Sequence, residues 1–129
     1  MDQLAVYNDV IEEVYNELTN LTNQAIKIGI NKNNIIWDPG IGFAKTTQHN
    51  ILLIKSMRKF LNSNYPLLIG PSRKKFIGEI TLEKEPNQRI WGTAAVVCKC
   101  VQDNVDLVRV HDVGDIKKLI LMAEEIWTR

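Results

Sequence analysis

The chain has 129 residues, 45% hydrophobic and 24% charged, the balance of one ordinary globular domain with its own core. A formal net charge of +1 excludes a global basic field for nucleic acid, so any anion site must be local. No apolar run approaches the roughly 20 residues needed to span a bilayer, and an opening with Asp2, Gln3, Asn8 and Asp9 does not read as a signal peptide.

In chain order, apolar residues at Tyr7, Val10, Ile11, Val14, Tyr15, Leu18, Leu21, Ala25 and Ile26 recur at three-four spacing. They predict an amphipathic helix over 7–28, with Gly29 as its C-cap. A short strand over 35–38 is cut by the turn signal Asp38-Pro39-Gly40. Thr46 or Thr47 caps a second helix that runs to about Leu61. A strand over 67–70 follows, then a polar loop over 79–88, a third helix over 88–101, a third strand over 107–110 and a last helix from about Asp115.

The order is αβαβαβα: three parallel strands and four helices, with apolar strands and long crossovers. Three strands leave both sheet edges without partners, which invites association. A complete eight-stranded barrel takes roughly 250 residues, so this chain would supply part of one. Cys98 and Cys100 lie two apart on a predicted helix and point to different sides. They should not pair, and they fit a reducing compartment. His49 and His111 are far apart in the chain, and no metal-ligand spacing appears.

In parallel α/β folds the functional groups collect at the C-terminal ends of the strands. After the first strand comes DPGIGFAKT, where Asp38 ends an apolar strand and Phe43 and Lys45 are set out from a glycine loop. A simple turn closing the strand is the alternative for Asp38. After the second comes GPSRKKFIG, with a hydroxyl, Ser72, and the cations Arg73, Lys74 and Lys75. This is either a solvated loop or an anion site, and a hydroxyl beside both cation types suits an anion. The third strand is LVRVHDV. Alternation puts Leu107, Arg109 and His111 on one face and Val108 and Val110 on the other, where helices would cover the valines. An ion pair of Arg109, with Asp38 as a partner, is the structural alternative.

Four stretches together resemble the dihydropteroate synthase family: DPGIGFAK (38–45), GPSRKKFIG (70–78), GTAAV (92–96) and RVHDV (109–113). Order and spacing match, with Ala94-Ala95 following Thr93 directly as the one departure. The resemblance implies the C-terminal part of a (β/α)8 barrel, with residues 1–129 as a partial pterin-binding domain whose N-terminal half lies elsewhere. It implies a cytoplasmic transferase of folate biosynthesis (organellar in a eukaryote) that joins p-aminobenzoate to a dihydropterin pyrophosphate. Residue by residue, it implies Asp38, Phe43, Lys74 and Arg109 for the pterin, and Ser72 and Lys74 for p-aminobenzoate. Arg109 and His111 would hold the leaving pyrophosphate, so that Lys74, Arg109 and His111 form the catalytic group. Lys75 gets no role and is expected to be solvated. Magnesium is implied, with no ligand among these residues, and so is a homodimer or association with the missing half. The chain alone would be inactive, whether fragment, split-enzyme subunit or remnant. A pterin-binding methyltransferase domain is the first alternative, although it is not expected to keep Ser-Arg-Lys and Arg-Val-His-Asp-Val together. A non-catalytic half-barrel that acts by association is the second.

Overall fold

The computed structural model describes residues 5–127. The first helix, α1, spans Val10–Lys27, starting later than the apolar pattern does. Asp9 sets that start: its carboxylate accepts from the Glu12 N–H at 3.1 Å, while its own N–H donates to Glu13 at 2.8 Å. This reciprocal cap satisfies donors that a helix end leaves unpaired. Gly29, at φ 105°, follows the C-cap in a conformation that costs glycine little.

The sequence pattern over 46–61 merges what are two helices, α2 at Thr47–Lys55 and α3 at Met57–Leu61. Ser56 breaks them apart, with ψ at 18°. Thr46 caps α2 through a capping box closed by His49, whose Nδ1 accepts from the Thr46 N–H at 3.1 Å. After β1 at Leu68–Ile69 comes α4, Lys75–Thr81, a helix whose end runs into the segment over 79–88 expected to be loop. Then α5 spans Ile90–Asp103, β2 spans Leu107–Val108, and α6 spans Val113–Ile126.

The described residues thus hold six α-helices and a two-stranded parallel sheet, which corrects the expected four helices and three strands. In the sheet Leu68 stands beside Leu107 and Ile69 beside Val108. The expected first strand is reduced to one parallel bridge between Trp37 and Leu67. The Trp37 N–H donates to Pro66 and the Leu68 N–H donates to Trp37, each at 2.8 Å. The chain then enters Asp38-Pro39, where proline has no N–H to continue a ladder.

Phe60, Leu67, Ile69, Leu53 and Met57 form the main core between the sheet and helices α1 to α3. Val108 and Val110 face helices, packing on Ala94, Val97 and Ile116. The opposite face is open, with Leu107 on β2 42% exposed and Ile36, next to the bridge residue Trp37, 53% exposed. Between α4 and α5, Arg89 gathers three carbonyl oxygens: Nε donates to Glu83 at 2.9 Å, Nη2 to Lys84 at 2.8 Å and Nη1 to Arg73 at 2.9 Å. No helix among the described residues is long and apolar enough to cross a membrane.

Candidate active site

The segments that leave Trp37, β1 and β2 emerge at one rim, the C-terminal ends of parallel strands. The first segment bends at Asp38, whose carboxylate accepts from the Gly40 N–H at 2.9 Å. The simple-turn geometry is therefore present, and it uses one carboxylate oxygen while the side chain remains at the surface.

Two residues that the sequence analysis gave no role hold this loop. The Lys45 ammonium, on a residue only 9% exposed, donates to the carbonyls of Gly40 and Phe43, both at 3.0 Å. Burial pushes its pKa below the ordinary lysine value, against the opposing pull of Glu17 and Asp38. The buried Asn50 carbonyl accepts from the Gly42 N–H at 2.7 Å. Their placement on the exit of the loop and one turn into α2 is the available signal, but hydrogen bonds to backbone carbonyls and N–H groups leave no pattern in composition.

The second segment approaches the first at Gly42. The Lys74 side chain lies across this glycine, and a Cβ there would meet Lys74 Cδ at 2.8 Å, with φ already at 86°. Lys74 ends with its ammonium 4.0 Å from the centroid of the Phe43 ring. Burial, then the neighbouring Arg109 charge, lowers the Lys74 pKa, and Asp38 offsets part of that.

The third segment contributes Arg109 and His111, on the open face as alternation predicts. The Arg109 N–H donates to Ile69 at 2.9 Å, fixing the residue beside β1. Its guanidinium lies over Gly70, where a Cβ would come 3.0 Å from Nη2. No Arg109–Asp38 ion pair forms among the described residues, so that structural alternative is absent. Gly70, Ser72, Lys74, Arg109, Val110 and His111 line a cleft of about 370 Å³.

The cations of 72–75 separate into different duties. Lys74 faces the cleft, while Lys75 is exposed and pairs with Glu79 at 3.8 Å on α4. Arg73 is turned away by a left-handed backbone, φ 59°, and its Nη2 pairs with Asp112 at 3.1 Å. Arg73 therefore ties the second and third rim segments together through the Asp112 carboxylate instead of lining the cleft. Ser72 is 6% exposed, and its hydroxyl lies 2.7 Å from His111 Nδ1. The His111 N–H donates to the same oxygen at 3.1 Å. Among the described residues no group of three or more His, Cys, Asp or Glu side chains could hold a metal ion.

Cations and a carboxylate thus gather at the C-terminal ends of parallel strands in an α/β fold. The family model for pterin binding enzyme matches residues 1–111, and the chain belongs to that family. The chain is 39% identical to the dihydropteroate synthase of Synechocystis over 127 residues, 98% of this chain and 44% of that protein. It is 40% identical to the Bacillus subtilis dihydropteroate synthase, covering 92% of this chain and 41% of that one. Its fold matches the dihydropteroate synthase of Xanthomonas albilineans solved with 4-aminobenzoic acid, at a TM-score of 0.94 and 32% identity, covering 98% and 46% of the two chains. The Thermus thermophilus enzyme in complex with 6HMPPP matches at a TM-score of 0.91 and 32% identity, covering 98% and 49%. The chain spans less than half the length of these relatives.

Proposed function

We propose that this chain carries the C-terminal rim of a dihydropteroate synthase, with residues 1–129 as a partial barrel domain that supplies its last three strand positions. The observation that supports this is the cleft where Lys74, Arg109 and His111 converge beside Phe43 and Asp38. Asp38 keeps one carboxylate oxygen for the N–H edge of a pterin. Phe43 and the Arg109 guanidinium offer flat surfaces to its ring. Lys74 stands between the pterin and p-aminobenzoate, and Ser72 lies on the aminobenzoate side with its hydroxyl engaged by His111.

In the reaction, the aminobenzoate amine attacks the exocyclic methylene of the dihydropterin. A C–N bond forms, the C–O bond to pyrophosphate breaks, and the proton lost by the amine is taken up by the departing pyrophosphate. Negative charge builds on the leaving pyrophosphate, and Arg109 and His111 are the groups placed to stabilise it. No protein nucleophile is needed. The open face bearing Ile36 and Leu107 is the surface that the rest of a barrel would cover. A cytoplasmic location belongs to the same reading, with two free thiols as its support.

The test is complementation. Residues 1–129 are mixed or co-expressed with a polypeptide carrying the first half of a dihydropteroate synthase barrel, and dihydropteroate formation is assayed. Turnover should require both pieces. Robust synthesis by the purified chain alone, or none with a stably associated partner half, would overturn the proposal.

A further inference from the structure

Ser72 and His111 meet twice, once through the histidine backbone N–H and once through its ring. The Ser72 oxygen accepts the His111 backbone N–H at 3.1 Å. The hydroxyl proton then needs an acceptor of its own. Ser72 is 6% exposed, and His111 Nδ1, at 2.7 Å, is the acceptor that the described residues offer it; the other arrangement, with Nδ1–H donating to the second lone pair, would leave the hydroxyl proton facing the cleft that Ser72 lines. A serine that donates to Nδ1 requires that nitrogen to be bare. In the neutral ring the proton must then sit on Nε2.

We propose that Ser72 is a positioning residue that locks His111 in the Nε2–H tautomer, so that the imidazole presents a hydrogen-bond donor to the cleft. The arrangement deepens the proposed function, on which the identity of the anion rests. Arg109 and Lys74, the cleft's two cations, supply charge. His111 supplies a directed N–H without needing to be charged. Both contacts span 39 positions in sequence, so the lock also fixes the spacing between the second and third rim segments. It explains why the rim carries a nearly buried hydroxyl at residue 72: an exposed one would be shared with water and would not select a tautomer.

The tautomer is read directly by long-range proton–nitrogen NMR on chain labelled at histidine, on the alkaline side of the imidazole range. Only two histidines are present, and His49→Gln assigns the remaining signal to His111. His49 is an internal standard, because its Nδ1 accepts a backbone N–H and must be unprotonated. His111 should show the same pattern, with Nδ1 at the downfield, unprotonated extreme and Nε2 upfield. Ser72→Ala should move both His111 shifts toward each other as the tautomers mix, and Ser72→Thr, which keeps the hydroxyl, should restore the separation. A protonated Nδ1 in the unsubstituted chain, or averaged shifts there, would overturn the lock; these outcomes stand even if Ser72→Ala fails to fold. Inorganic pyrophosphate added to the complemented protein should shift Nε2 more than Nδ1. A correct tautomer with no response to pyrophosphate upholds the lock and overturns the pyrophosphate role, so the two failures are distinct.

Discussion

The Lys74 ammonium stands 4.0 Å from the centre of the Phe43 ring, joining two rim segments that meet across Gly42. The contact gives Lys74 an electrostatic partner in a place where burial and Arg109 both act against its charge. With the barrel completed, Lys74→Ala should lower kcat/KM by about thirtyfold to a thousandfold, the effect of roughly 2 to 4 kcal/mol for a lost charged hydrogen bond. Lys75→Ala should cost less than about 0.5 kcal/mol, as for a surface substitution. Steady-state kinetics of the two variants side by side check the register of this loop; equal damage would sink it.

Arg109 is the residue that an ammonium should not replace. Its plane lies over Gly70 and its neighbours are cleft residues. Arg109→Lys keeps the charge but loses the flat, two-pronged donor, so turnover in the complemented enzyme should fall nearly as far as in Arg109→Ala. Removing the guanidinium also removes a like charge from Lys74. The Lys74 pKa should therefore rise in Arg109→Ala, which side-chain carbon NMR of labelled lysine can follow. An unchanged titration would mean that the two cations do not sense each other.

The two thiols should behave differently. Burial, and secondarily Asp103, pushes the Cys100 thiol up to about 12, and its sulfur packs 3.8 Å from Met57. Cys98 is partly exposed, so a thiol reagent should label Cys98 in the folded chain and reach Cys100 only in denaturant. The folded state keeps a proton that the unfolded state releases between pH 9.0 and about 12. Stability should consequently fall as pH climbs through that window, and Cys100→Ala should flatten the fall. Urea midpoints across alkaline pH measure it.

The isolated chain should not persist as a monomer at tens of micromolar. Ile36 and Leu107 expose apolar surface on the open face, and covering such area gains about 25 cal/mol per Å². Light scattering should report a dimer or larger species. Glutamate placed at 36 and 107 should shift the distribution toward monomer. A monodisperse parent chain would count against the open face as a contact surface.

The third strand shows what alternation can deliver. Val108 and Val110 pack on helices while Leu107, Arg109 and His111 point away, as period-two reading requires. The first strand, expected over 35–38 and ending at the proline turn, is reduced to one bridge at Trp37, because apolar residues do not report how many backbone groups pair. The apolar spacing over 46–61 runs straight through Ser56, and only the backbone angles at that residue reveal the break. Helix α4 was hidden in a segment whose exposed end, Glu79 to Thr81, looks like loop by polarity. At the rim, Lys74, Arg109 and His111 were legible as residue types on strand ends. The Arg73–Asp112 tie, the Lys45 clamp and the Ser72–His111 pair were not, since each depends on which way a side chain turns after the strand has ended.

The Arg89 clasp has a bearing on motion. One guanidinium holds the carbonyls of Glu83 and Lys84 and reaches the carbonyl of Arg73 at the rim. The amide of Arg73 donates in turn to Thr93 on α5, at 3.3 Å. Opening of the stretch between α4 and α5 should release Arg89 from the Arg73 carbonyl while the Arg73 amide stays bonded to Thr93. Coupling of the two would appear as faster exchange of the Arg73 amide in Arg89→Ala, and unchanged exchange there would mean that the two stretches open independently.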